Sequence, residues 1–295
     1  MNGPSSSFPV APPATGDSTV ICHRLAGYDF PWELSRSLEL AVLKTFCVPR
    51  ISQLLRQTGE FEHRTQKRYD DTTLIFGNIL KWGYDSPQGS AAIKRMNRIH
   101  ERFDIPNEDF LYVLSTVIYE PIRWNHRFGW RLFTQAEKQA LFEFWRAVGE
   151  RMGLQQIPST YVAFLNFNQT YEACYFAYHS SNAVISDVVL QLMQTWFPKI
   201  LHPFVPTVVK VLVDEPMRAA LGWRPPHPLI VYGIVNALQL RRRIVRHFPR
   251  RRRSQFVVDR SNPTYPTGYD IEQLGPQSAP RTSSKCPFMR MKSLL

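Results

Sequence analysis

The sequence predicts an all-α protein, and three observations carry that prediction. Apolar residues recur mostly at three- and four-residue spacing from Trp32 onward. Val, Ile and Thr rarely alternate with polar residues, so no half-buried strand is marked. Caps and breakers stand at the ends of the periodic stretches. At 295 residues, the chain is long enough for one large helical domain with an interior pocket.

Each element has its own reason. Met1 to Asp17 is rich in Pro, Ser, Gly and Ala, and residues 1–29 are expected to form a disordered leader. The leader lacks the basic and apolar regions of a secretory signal. A helix opens at Trp32 and runs through Leu43 to Pro49, which should break or kink it. Ile51 to Gln57 forms a second helix, closed by Gly59. Asp70 or Asp71 is expected to begin a helix that Gly83 ends after Trp82. Ser90 is expected to cap the next, from Ala91 to Phe103. Asn107 or Asp109 begins another, through Phe110, Leu114 and Val117. Thr134 and Glu137 have capping-box spacing, and that helix runs to Met152 before Gly153 stops it. Pro158 and Ser159 open an aromatic helix from Tyr161 to Tyr178. Helices at 183–195, 207–221 and 228–247 complete a body spanning 30–248. Residues 249–295 read as a basic, Pro- and Ser-rich tail with little order.

The charge is unevenly placed. Lys and Arg number 36 against 24 Asp and Glu, a formal net charge of +12. From Arg241 onward there are thirteen Lys and Arg and three acidic residues, so ten of the twelve excess charges lie there. The body is nearly neutral. Arg241 to Arg253 follow the amphipathic stretch Leu229–Leu240, a pattern suited to an anionic membrane surface. No aromatic interleaving for base stacking accompanies the cluster, so nucleic acid is not expected as a partner. The longest apolar stretches are too short or too interrupted to span a bilayer. Cys22, Cys47, Cys174 and Cys286 show no C-x-x-C spacing, which excludes a zinc ribbon and points to a reducing compartment. These features lead to the expectation of an intracellular monomer, cytoplasmic or peripherally attached to a membrane.

Several chemistries lack their motifs. There is no G-x-S-x-G elbow, no P-loop, no G-x-G-x-x-G and no H-E-x-x-H. Their absence favours chemistry carried by a cofactor in a helical core. Ile93, Met96, His100 and Phe103 share one apolar helical face, so His100 aims an imidazole at the core. Such an imidazole is either an axial ligand of haem iron or a core histidine satisfied by a backbone carbonyl. Arg68 and Thr72, four apart, share a face if that stretch is helical. Together they can bind a propionate, dioxygen or a developing oxyanion, or they can belong to a helix cap. The Arg- and Trp-rich segment Glu120–Arg131 is either a carboxylate clamp or a helix end in which Glu120 pairs with a nearby Arg. His126 is a reserve ligand there, and His179 reads as a cap.

Four segments resemble the MpaB/rubber-oxygenase family: Lys67–Thr72, Arg95–His100, Pro106–Tyr112 and Glu120–Trp124. The resemblance extends across about residues 30 to 275. It implies a globin-like helical core holding haem b, with His100 as the iron ligand and Arg68 and Thr72 beside the haem. It also implies oxidative cleavage of a C=C bond by dioxygen to two carbonyl products, in an apolar substrate such as an isoprenoid. Three departures stand out. Asp71 occupies the place of a lysine in the rubber enzymes. Glu60 and Glu62 do not match the spacing of the family's base. The membrane-bound members have an anchor for which no spanning segment is visible here. The alternative on the same scaffold is a non-enzymatic haem- or lipid-binding protein, attached to membranes through the basic tail.

Overall fold

Residues 17–276 are described in a computed structural model, and among them the regular structure is helical throughout. The order is α1 (Ser18–Arg24), α2 (Pro31–Phe46), α3 (Pro49–Gln57), α4 (Glu60–His63), α5 (Thr65–Trp82), α6 (Pro87–His100) and α7 (Asn107–Phe128). Then follow α8 (Gln135–Arg151), α9 (Tyr161–Tyr175), α10 (Ser180–Thr195), α11 (Val205–Leu212), α12 (Glu215–Leu221) and α13 (Pro228–Arg246). The all-α prediction holds.

Helix α7 is the axis of the fold. Its buried residues lie all around its circumference, and α2, α8 and α9 pack against it. It continues through Pro121, which lacks the N–H that would bond back to the preceding turn. One apolar core joins α1, α5, α6, α7 and α8 around Ile79, Ile118 and Trp145. A second joins α2, α10, α11 and α12 around Leu43, Phe46 and Ile185.

Local chemistry moved several boundaries. Helix α5 begins at Thr65, so Asp70 and Asp71 are interior rather than caps. Both are buried and bonded: Gln66 donates to Asp70 at 2.9 Å and Lys67 to Asp71 at 2.7 Å. Helix α6 is capped by Ser86, whose hydroxyl accepts from Gly89 N–H, and not by Ser90. Pro49 opens α3 instead of breaking α2, because a first-turn proline forfeits no helical bond. The stretch 207–221 divides at Val213, where Asp214 caps α12. The capping box of Thr134 and Glu137 forms as predicted. The aromatic helix stops at Tyr175, and His179 caps α10.

Both predicted termini need correction. Residues 1–16 lie outside the described part, but 18–24 form α1, packed on α8 with Cys22 fully buried. The tail is not loose from 249 onward. Phe256 is 4% exposed and Leu274 is fully buried, both within the first core. Phe256 covers Gly27 so closely that a Cβ there would meet its ring at 2.4 Å. Val257 and Val258 crowd Gly77 of α5 in the same way. Residues 277–295 are outside the described part.

Candidate active site

Helices α5 and α6 pack side by side and bring the predicted residues together. Arg68 lies one turn into α5. Its Nη1 donates to the Thr72 hydroxyl, which in turn donates to the Arg68 carbonyl at 2.9 Å. The pair thus shares a face inside the helix, which rules out the capping alternative. The Arg68 guanidinium lies 5.3 Å from the Phe61 ring centre. Among the described residues it forms no ion pair with a carboxylate. Burial therefore draws its pKa below the usual arginine value, against the more distant charges of Asp71 and Glu60.

His100 is the last residue of α6, and its ring packs edge-on against Phe110 of α7 at 5.1 Å. Its Nδ1 is buried and has no hydrogen-bond partner, so the satisfied core histidine is not what forms. Burial and then the Arg68 charge lower its pKa to about 4. The imidazole is neutral near pH 7 and keeps a lone pair for a Lewis acid. A single imidazole holds iron firmly only where a prosthetic group supplies the other ligands. Among the described residues, no group of three His, Cys, Asp or Glu side chains gathers to bind a bare metal ion. The orphaned Nδ1, the cation lacking a carboxylate and the Phe61 and Phe110 rings fit an anionic, flat, apolar prosthetic group.

The other candidates divide. Glu60 is held by Arg64, and Glu62 faces Arg56 at 3.6 Å, so neither points a free carboxylate at His100. Glu120 pairs with Arg123, as the structural reading of that segment expected. That pair belongs to a largely buried charge cluster that the sequence pattern does not mark. Lys44, 2% exposed, reaches Glu172 at 2.8 Å and Glu120 at 3.4 Å. The only signal was a lysine inside the apolar run Leu38–Val48. His126 lies on the wall of a separate cavity of about 530 Å³, which neither Arg68, Thr72 nor His100 lines. In the aromatic helix α9, Phe164 and Tyr171 are core. Tyr171 stacks on Tyr112 with centroids 4.3 Å apart.

A second missed group joins α2 to α5. Tyr69 donates to Glu39 at 3.0 Å, and Arg36 lies 2.6 Å from the same carboxylate. Burial outweighs both and raises the Glu39 pKa to about 7. Tyr265 and Lys67 meet at Asp71, the position where the sequence departs from the rubber enzymes.

Taken together, these features describe a helical protein in which a half-buried imidazole with an unpartnered Nδ1 lies near a half-buried guanidinium. Residues 37–246 match the family described as ER-bound oxygenase mpaB/B'/Rubber oxygenase, catalytic domain, and the chain belongs to that family. It is 26% identical over 230 residues to "ER-bound oxygenase mpaB'" of Penicillium brevicompactum, covering 72% of this chain and 54% of that protein. It is 25% identical over 214 residues to "ER-bound oxygenase mpaB" of Penicillium roqueforti, covering 66% and 72% respectively. An mpaB of P. brevicompactum aligns at 26% over 189 residues, covering 58% and 48%. The chain thus spans about half the length of the first of these relatives. No described helix is long and apolar enough to cross a membrane.

Proposed function

We propose that this protein is a haem b-dependent oxygenase that cleaves a C=C bond of an apolar, isoprenoid-type substrate. The observation that carries the reading is His100: a half-buried, neutral imidazole whose buried Nδ1 has no partner, placed near Arg68. His100 would hold the iron. Arg68 and Thr72 supply a guanidinium and a hydroxyl on one face, suited to a propionate or to a polar oxygen in the pocket. Phe61 and Phe110 provide apolar walls that exclude water. When bound, the haem would supply the binding and activation of dioxygen that no side chain offers. Adding both oxygen atoms across one C=C gives two carbonyl groups and needs no external reductant.

The same reading places the protein on an anionic membrane, where such substrates partition. The outward face of α13 is apolar, with Leu229 74%, Tyr232 72% and Leu240 56% exposed. Arg243, Arg246 and Arg250–Arg253 follow it in exposed positions. Arg241 is not part of that surface. It stacks 3.6 Å over Trp32 and donates to Glu33 at 2.9 Å.

The test is an absorption spectrum of the purified full chain before and after haem addition. A Soret band that His100→Ala loses and His126→Ala keeps supports the reading. So does oxygen consumption on adding a farnesyl compound. No Soret band after haem addition, or full haem retention in His100→Ala, overturns it. Haem binding without oxygen consumption would leave a non-enzymatic haem protein.

A further inference from the structure

The cavity of about 530 Å³ lies along the far half of α7. Phe110, against His100, and Arg123, in the cavity wall, are thirteen residues apart on that helix, or about 20 Å at the α-helical rise. It is therefore a separate place from the candidate haem site. Its size and mixed lining are those of a small-molecule pocket. Leu40, Tyr119, Ile122, Tyr161 and Leu165 give it apolar walls.

Its charges are unequally satisfied. Glu120 is saturated by Lys44 and Arg123, and Asp214 caps α12 at 3.0 Å from Met217 N–H. Three basic groups on the wall have no carboxylate within ion-pair distance among the described residues: His126, Arg127 and Lys138. The Arg127 side chain is exposed and, among the described residues, donates only to the Leu212 carbonyl at 2.9 Å. The Lys138 ammonium has no hydrogen-bond or ion-pair partner among the described residues. The reversal between α7 and α8 brings Arg127 and Lys138 to the same wall. Arg123, Arg127 and Lys138 against Glu120 and Asp214 leave one uncompensated positive charge, and the Lys44–Glu172 pair beneath adds none. A cation on a cavity wall that lacks a carboxylate partner is stabilised by a ligand of opposite sign.

We propose that this cavity is a second binding site, for a singly charged organic carboxylate with an apolar body. The carboxylate meets Arg127 and Lys138, and the apolar body lies against Tyr119, Tyr161 and Leu165. Electroneutrality selects a monoanion over a phosphate dianion. The site stands independently of the haem reading, because neither His100 nor Arg68 contributes to it.

The test is titration calorimetry of the full chain with dodecanoate, held below its micellar range, against dodecanol, acetate and inorganic phosphate. Dodecanoate should bind at least tenfold more tightly than any of the three. Lys138→Gln should weaken dodecanoate at least fivefold and leave dodecanol unchanged. It should also leave the ligand-free melting temperature unchanged, since Lys138 holds nothing in the fold. Adding Arg127→Gln should weaken dodecanoate further. Binding should persist in His100→Ala, which separates this site from the haem. No dodecanoate binding, equal affinity for dodecanol, or an unchanged affinity in the double variant would overturn the proposal. Phosphate or acetate binding as tightly as dodecanoate would also overturn it, by showing a simple anion site.

Discussion

The Lys44 ammonium lies 2.8 Å from both carboxylate oxygens of Glu172, 128 residues away in the chain. Burial opposes its charge, but Glu120 and Glu172 prevail, and its pKa stands above the usual lysine value. Lys44→Ala leaves the buried Glu120 and the half-buried Glu172 with Arg123 as their remaining counter-charge and should cost about 3 kcal/mol. Lys44→Met combined with Glu172→Gln should cost less than the two single changes added together. Urea denaturation of the four proteins in the cycle measures that coupling.

The segment after residue 249 is fastened at Asp71 through Tyr265. Tyr265 donates to it at 2.6 Å, and Lys67 bonds both the carboxylate and the phenol. Tyr265→Phe should lower stability by about 1 kcal/mol, the worth of one hydrogen bond. Asp71→Ala should cost about 3 kcal/mol, because it strands Lys67 as well. Both are read from denaturation midpoints, and a larger loss for Tyr265→Phe would contradict the geometry.

Glu39 should leave a mark on the pH dependence of stability. Its pKa is raised to about 7 in the fold, so between 4.5 and 7 the folded state binds a proton that the unfolded chain has lost. The stabilisation is complete below pH 4.5 and disappears as pH rises through 7. Glu39→Gln removes this dependence. The variant should gain on the native protein by up to about 3 kcal/mol between pH 4.5 and 8, at about 1.4 kcal/mol per pKa unit. Unfolding free energies of both proteins at the two pH values measure the difference.

Vesicle sedimentation checks the membrane surface. Vesicles with about a third phosphatidylserine should retain the full chain, and phosphatidylcholine alone should retain it far less. Leu229→Glu with Leu240→Glu should reduce binding at least tenfold, as should raising salt to about 0.5 M. Both leucines face outward, so thermal melting should be unaffected. Binding that survives the double change would assign the contact to another surface.

The helices were legible because their periodicity and caps are local. The Thr134 capping box and Gly59, at φ 67°, needed no distant partner. Arg68, Thr72 and His100 were legible because four-residue spacing and a shared apolar face place side chains without knowledge of the fold. Their juxtaposition across α5 and α6 was not. Neither were Lys44 with Glu172 nor Glu39 with Tyr69, which meet only through packing of helices distant in sequence. The start of α5 was misplaced because Asp70 and Asp71 are good caps by type. Tyr265, Thr264 and Gln66 engage them in the helix interior instead. The segment after 249 looked loose because it has little regular structure. It is held by a few large apolar side chains and not by a repeating pattern.

That segment bears on where the folding unit ends. The family match stops at residue 246, yet Phe256 seals Gly27, Val257 and Val258 seal Gly77, and Gly275 covers Ile99. A fragment trimmed to the homology boundary would expose this seam along α5 and α6, the two helices that carry Arg68 and His100. Such a fragment should aggregate on expression, while one extended to residue 276 should stay monodisperse. The smallest unit that buries its own seam is thus longer than its recognisable signature.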